Sequence, residues 1–423
     1  MLDETHDTRL GSWVRSANGH QHFPIQNLPF GVFSPAEGGG ARIGVAIGEE
    51  VFDLSDAAKL SLLEGLPADI FQQASLEPLM AAGLTTRRQL RKTLSRVLSQ
   101  EAYADSGARC LRRSVDCEFV VPTTIPDYTD FYAGVYHALA AGKLFRPNEP
   151  LLPNYEHLPV GYHGRSSSVI ISTADVHRPT GQMNLDQTVQ VTKSRKLDFE
   201  VEFAIWIGKA NERGNPVAIG KASEAVWGYG LLNDWSARDI QAWEYRPLGP
   251  FLGKNFATSV SPWVVTPEAL APFRTASFDK GHAVSAYLSD EHDGSSGGLD
   301  VILEVLLSTD ASREAGLSRF SLANMSTRYL YWTPAQLVAH HTVGGCPLRV
   351  GDLLGTGTIS GPSSGEEGSL LEATKNGVKP LVLPNGEWRA FLNDGDEVTI
   401  RGICEREGAV TIGFGECTGR ICD

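Results

Sequence analysis

The chain has 423 residues, a formal charge of −13 and 44 glycines. That length exceeds one comfortable core and implies two domains, and the glycine content favours turn-dense β structure over a helical bundle. The acidic balance, without a lysine/arginine block, argues against nucleic acid as the main partner, and no apolar run is long enough to span a bilayer.

The N-terminal MLDETHDTRL is polar and lacks the pattern of a signal peptide, so the cytoplasm is the expected compartment. Residues 1–11 read as a loose polar extension. GVFSPAEGGGARIGVAIGEEVFDL then reads as three short strands joined by glycine-rich turns. Residues 56–105 turn helical. In TTRRQLRKTLSRVL, Leu90, Leu94, Val97 and Leu98 make an apolar face, while Arg87, Arg88, Arg91, Lys92 and Arg96 lie opposite or beside it. No aromatic residues interleave, so this basic stripe is expected to be a solvated helix face. A boundary falls near residue 115. Beyond it, SSSVIIST, LDFEVEFAIWIG, SPWVVT, HAVSAYLSD and DEVTIRGICEREGAVTIGFGEC read as strands, the last as a hairpin turning near Arg406–Gly408. Residues 289–300 read as a surface loop, and His340–His341 as part of a helix behind Trp332. The six cysteines show no CxxC pairing and are expected to be reduced thiols.

The chemistry gathers in the second part. In LDFEVEFAIWIG, Glu200 and Glu202 are two apart on a strand whose other residues read as buried, so both carboxylates point the same way. Such a pair is costly unless a cation joins it; a polar strand face in water, or salt bridges to Lys193, Arg195 and Lys196, is the plainer alternative. DYTDFY places Asp127 and Asp130 where a loop leaves the extended TTIP. If Asp234 opens a helix, Asp234, Arg238, Gln241 and Tyr245 share one face, with Lys254 and Thr258 four apart beyond the PLGPFLG turn. Asp130, Glu200, Glu202 and Asp234 together would form an all-oxygen cluster suited to Ca²⁺ or Mg²⁺ rather than zinc or copper. His137 lies seven residues after Asp130, and a carboxylate beside it, for which Glu372 is a candidate, would orient it as a base. GTGTISG (355–361) lacks both the GxGxxG spacing and a following lysine, and reads as a turn.

In DYTDFY, HLPVGYHGR, RPTGQM, LDFEVEF, NDWSARDIQAWEYRPLGPFLGK, HHTVGGCPLRVGDLL and GTISG, the chain from about Ser12 to its C-terminus resembles the fumarylacetoacetases of the fumarylacetoacetate hydrolase family. The resemblance implies a mainly β fold with helices: an N-terminal SH3-like β-barrel domain over residues 12–115, then a larger β-rich catalytic domain over 116–423. It implies a homodimer and a small 1,3-diketo acid substrate, with neither nucleic acid nor membrane as partner. Asp130, Glu200, Glu202 and Asp234 match a Ca²⁺ or Mg²⁺ site, and Lys254 and Thr258 match positions tied to a second cation, Mg²⁺. Tyr132, Arg146, Tyr162, Gln241, Tyr245 and Thr358 match substrate-contacting positions. His137 matches the general base oriented by Glu372, and Arg238, Gln241 and Lys254 match groups facing an oxyanion.

The implied reaction is hydrolysis of the carbon–carbon bond of 4-fumarylacetoacetate to fumarate and acetoacetate, the last step of tyrosine and phenylalanine degradation. Hydrolysis of a related acylpyruvate or 1,3-diketone is the alternative. A divalent-cation-binding protein without catalysis would have no need of His137, Glu372 or Arg238. One departure from the family pattern is the apolar loop of Leu139, Ala140 and Ala141 after the base, which bears on substrate preference.

Overall fold

The computed structural model describes residues 2–185 and 187–423. The three expected N-terminal strands form: Phe30–Pro35, Arg42–Ile47 and Glu50–Asp53 pair as an antiparallel meander. Leu111–Arg113 adds to one edge, and Cys117–Val120 pairs with Phe30–Pro35 at the other. The sheet therefore takes a strand from beyond the boundary expected near residue 115.

Two further sheets build the larger part. A seven-stranded mixed sheet runs in the order Gly161–Gly164, Tyr128–Phe131, Leu353–Gly355, Val201–Ile207, Val226–Asp234, Thr258–Val260, Val169–Ile171. A five-stranded sheet contains the expected C-terminal hairpin, Glu397–Cys404 against Ile412–Cys422. Alternation along the central strands decides what each face meets. Val201, Phe203, Ile205 and Ile207 enter the core shared with the second sheet, whereas Ala204 and Trp206 enter the core shared with the N-terminal domain. Tyr128, Leu232 and Val260 join them on that second face.

The Gly83–Ser99 helix buries Leu90, Leu94, Val97 and Leu98 as its periodicity predicts, and its basic stripe is solvated at Arg88, Lys92 and Arg96 but buried at Arg87 and Arg91. Arg91 is fully enclosed, donating to Thr5 Oγ1 (2.9 Å) and to the carbonyls of Asn27 (2.7 Å) and Gln26 (2.6 Å). Arg87 grips Glu268 through two parallel bonds (2.9 and 3.0 Å) and also donates to the Trp227 carbonyl (3.0 Å). The helix thus sits between the two domains, where planar guanidinium forks satisfy carbonyls that water does not reach. The N-terminal extension is likewise docked rather than loose. Asp3 caps a short turn over Glu4–His6, Thr5 is buried against Arg91, and His6 Nε2 meets the Glu268 carbonyl (2.8 Å). Replacing Arg87 with alanine would leave Glu268 half-buried with only the longer Arg88 contact, so a loss of about 3 kcal/mol is expected by denaturant titration.

Elsewhere His340 and His341 lie on the expected helix, Pro334–Val343, whose capping box joins Thr333 and Gln336. The segment read as a surface loop contains a short helix, Glu291–Ser296, capped by Asp290. All six cysteines are free.

Candidate active site

The acidic residues are placed by the same alternation that sorts the cores. Glu200 and Glu202 continue the face of Ala204 and Trp206, Asp130 that of Tyr128, and Asp234 that of Leu232, all near one end of their strands. Oxygens of Asp130, Glu202 and Asp234 lie within 4.8 Å of one another, and all three residues are buried. Gly355, paired to Asp130 on one side and Ala204 on the other, makes room for them. A Cβ there would stand 2.6 Å from Asp130 Oδ1 and 2.9 Å from Glu202 Oε2, so any larger residue would displace the carboxylates. The GTGTISG stretch is more than a turn: the Gly357 N–H donates to both Asp130 Oδ1 (3.2 Å) and Glu202 Oε2 (3.0 Å).

Glu200 stands beside this triad with different partners. Its Oε1 accepts from Arg238 Nη1 (2.7 Å) and its Oε2 from Lys254 Nζ (2.5 Å), rather than from Lys193, Arg195 or Lys196. Lys254 also reaches Asp234 Oδ2 (2.7 Å), which accepts from the Tyr162 hydroxyl (2.9 Å), while Thr258 donates to Asp234 Oδ1 (3.0 Å). Asp234 does not open a helix. It ends a strand, the chain stays extended through Ser236 against Asp198, and the helix begins at Arg238. Arg238 and Gln241 keep their shared face, with Gln241 Oε1 accepting from Arg238 Nη1 (3.3 Å). Tyr245 closes that helix beneath the Arg246 guanidinium.

Charge at the site is unbalanced. Burial, and then the charge of Asp234, pushes the Asp130 carboxyl well above its ordinary range; burial, Asp130 and Asp234 do the same to Glu202. Burial would also raise Glu200, but Lys254 and Arg238 overcome it and hold that carboxyl low. Glu202 Oε1 is buried without a hydrogen-bond partner among the described residues. An all-oxygen donor set, a buried carboxylate oxygen with no partner and an excess of negative charge fit a hard divalent cation.

The base side is built by a second close approach. A Cβ at Gly134 would fall 2.0 Å from the Thr358 carbonyl, so a glycine lets the Val135–Phe145 helix start against the 356–360 loop. That helix carries His137, whose Nδ1 lies 2.7 Å from Glu372 Oε2. The hydroxyls of Ser360 (3.0 Å) and Ser369 (2.8 Å) donate to the same oxygen. A carboxylate at Nδ1 keeps the proton on that nitrogen and leaves Nε2 as the basic one. The Tyr132 ring stands edge-on to the imidazole, with centroids 5.5 Å apart. The stretch after the base is helical rather than a loop: Ala141 is buried and Leu139 packs on the main core. Arg146 caps the C-terminus of this helix, and its Nε is buried with no partner among the described residues.

Several contributors escaped the sequence reading: Asp198, Ser360, Ser369 and the Gly357 amide. Asp198 had a signal, since it lies two residues before Glu200 in LDFEVEF and extends the same alternation.

The family profile described as fumarylacetoacetate (FAA) hydrolase C-terminal matches residues 128–422, and that described as fumarylacetoacetase N-terminal matches residues 26–122. The chain is 45% identical over 411 residues to a fumarylacetoacetase of Arabidopsis thaliana, covering 95% of this chain and 96% of the relative. It belongs to the fumarylacetoacetase family. A fumarylacetoacetase of Homo sapiens is 43% identical over 412 residues, covering 94% of this chain and 96% of the relative. Among solved structures, a fumarylacetoacetate hydrolase from psychrophilic Exiguobacterium antarcticum shares the fold at a TM-score of 0.51 and 18% identity, covering 93% of this chain and 99% of that one. As a fumarylacetoacetase-family member the chain is a hydrolase with the expected mainly β fold. The family is metal-dependent, in keeping with the Asp130–Glu202–Asp234 triad.

Proposed function

We propose that the chain hydrolyses the carbon–carbon bond of 4-fumarylacetoacetate, giving fumarate and acetoacetate, the closing step of tyrosine and phenylalanine degradation. The observation that carries this reading is the buried His137–Glu372 pair, 2.7 Å apart, in the fold that also gathers the carboxylate cluster. Asp130, Glu200, Glu202 and Asp234 would hold Ca²⁺ or Mg²⁺, with Lys254 and Thr258 at the margin where a second cation, Mg²⁺, would sit. Bound there, a divalent cation supplies Lewis-acid stabilisation of the enolate character that carbon–carbon cleavage of a 1,3-diketone develops.

The protein's own groups account for the rest. His137 Nε2 takes a proton from water, and the resulting hydroxide adds to the ketone carbonyl. Glu372 keeps the imidazole oriented and faces the imidazolium as it forms. The tetrahedral oxyanion is met by Arg238, whose Nη2 is buried without a partner among the described residues and so retains a free donor, together with Gln241 and Lys254. As the oxyanion collapses, the carbon–carbon bond breaks, its electron pair leaves as the acetoacetate enolate, and the proton held on His137 passes to that carbon. Tyr132, Tyr162, Tyr245 and Thr358 contact the substrate, and Arg146, with its planar fork, takes a terminal carboxylate.

Product analysis tests the reading. Equimolar fumarate and acetoacetate from fumarylacetoacetate, with higher kcat/KM than for saturated acylpyruvates, is the expected result. The reverse preference would assign the chain to a related diketone hydrolase.

The small 1,3-diketo acid is the only partner this chemistry needs, beyond a second copy of the chain. Trp243, Leu248, Phe251 and Leu252 expose apolar side chains in and after the Arg238–Glu244 helix, and this surface supports a homodimer. Sedimentation equilibrium should give twice the chain mass of 45.7 kDa, with Phe251→Glu shifting it toward the monomer. No described helix is long and apolar enough to cross a membrane, and a cytoplasmic location is proposed.

A further inference from the structure

We infer that Asp198 is a positioning residue for this reaction, one buried carboxylate that fixes both the oxyanion-facing guanidinium of Arg238 and the turn carrying Glu372. The inference rests on the reaction proposed above. Asp198 is completely buried, and both its oxygens are fully used. Oδ1 accepts from the backbone N–H of Phe199 (2.9 Å) and Leu370 (2.7 Å); Oδ2 accepts from the N–H of Leu371 (2.9 Å) and from Arg238 Nε (2.9 Å).

The two arms end at opposite halves of the chemistry. On one, Asp198 takes the Nε edge of the Arg238 guanidinium while Glu200 takes Nη1, which fixes the plane of the fork and leaves Nη2 as the free donor. On the other, Asp198 supplies what the Leu370–Ala373 turn lacks. Ser369 stands at the cap position, yet its hydroxyl makes no cap bond, because it donates to Glu372 Oε2 instead. The first two N–H groups of the turn are therefore held by Asp198, and Glu372 is the next residue along. The position of the carboxylate that orients His137 thus depends on a side chain more than 170 positions away in sequence, on the strand that leads into the cation cluster. Partners of this kind, one step removed from the reacting groups, commonly change rates by about 10- to 100-fold when altered.

The test is a kinetic cycle on the full-length, cation-saturated enzyme with fumarylacetoacetate, wild-type turnover serving as the control for the reaction itself. In Asp198→Asn, an amide N–H₂ must face donors on one side or the other. The expected kcat is about 100-fold below wild type with KM changed less than about threefold, since the groups lost act through others. In a Glu372→Gln background the same substitution should cost about 10-fold, because the arm through Glu372 no longer matters and only the Arg238 arm remains. A residue that merely holds the fold together would cost equally in both backgrounds. Losses within about threefold of each other in the two backgrounds, or a folded Asp198→Asn protein with kcat within about threefold of wild type, would overturn the inference. If Asp198→Asn does not fold, Asp198→Glu, which keeps the charge and displaces it by one methylene, is read by the same criteria. Absence of turnover by the wild type would instead strike the proposed reaction.

Discussion

Replacing His137 with alanine is expected to lower kcat by about 10³- to 10⁴-fold, near the upper end of what a positioned general base contributes, while leaving divalent-cation binding nearly intact. The two halves of that statement rest on different contacts. The imidazole bonds to Glu372 and is flanked by the Tyr132 ring; among the described residues it makes no hydrogen bond to Asp130, Glu202 or Asp234. Glu372 is in turn held by Ser360 and Ser369, so removal of the ring leaves the carboxylate anchored and the loop in place. Cation titration by calorimetry and steady-state kinetics on one preparation check both. Loss of cation affinity in this variant, or turnover within tenfold of wild type, would show that the base and the cluster have been assigned wrongly.

Glu202→Gln is expected to act in the opposite sense, abolishing tight cation binding and turnover together while costing the cation-free protein nothing. Glu202 is buried, its Oε1 has no partner among the described residues, and its carboxyl is already pushed up by burial and by Asp130 and Asp234. Removing a buried charge from a crowd of like charges relieves repulsion, and glutamine still accepts from the Gly357 N–H. Wild type should gain about 2.7 kcal/mol when Ca²⁺ or Mg²⁺ is present at 100 times its dissociation constant, by mass action alone. Thermal melts with and without cation should therefore separate widely for wild type and nearly coincide for Glu202→Gln. A variant that melts well below cation-free wild type, or that keeps the full cation-dependent rise in Tm, would contradict the assignment.

Much of this site was legible in the residues because strands repeat every two positions. Glu200 and Glu202 announced a shared face, and the buried odd positions Phe203, Ile205 and Ile207 announced that the strand was enclosed. The His137–Glu372 contact spans 235 positions; the residues offered Glu372 only as a candidate, and the resemblance singled it out. Asp234 illustrates a different limit. Its spacing to Arg238 and Gln241 suits a helix, but strand pairing to Thr258 continues through Asp234, and tertiary hydrogen bonding outweighs local periodicity. The basic stripe of the Gly83–Ser99 helix departs from its reading at two positions, Arg87 and Arg91. Its charges looked solvated because sequence shows what a face carries and not what is laid over it, and here the N-terminal extension and Glu268 cover Arg87 and Arg91. The roles of Gly134 and Gly355 are matters of close approach between distant segments, which one chain's sequence does not display.

The most direct test of the account is loss of the ultraviolet absorbance of fumarylacetoacetate by purified protein, before and after chelation and again after Ca²⁺ or Mg²⁺ is restored. The account predicts decay that stops with chelator and returns with cation, with fumarate and acetoacetate as the only products. Undiminished decay in chelator, or no decay by folded, cation-loaded protein, would contradict it.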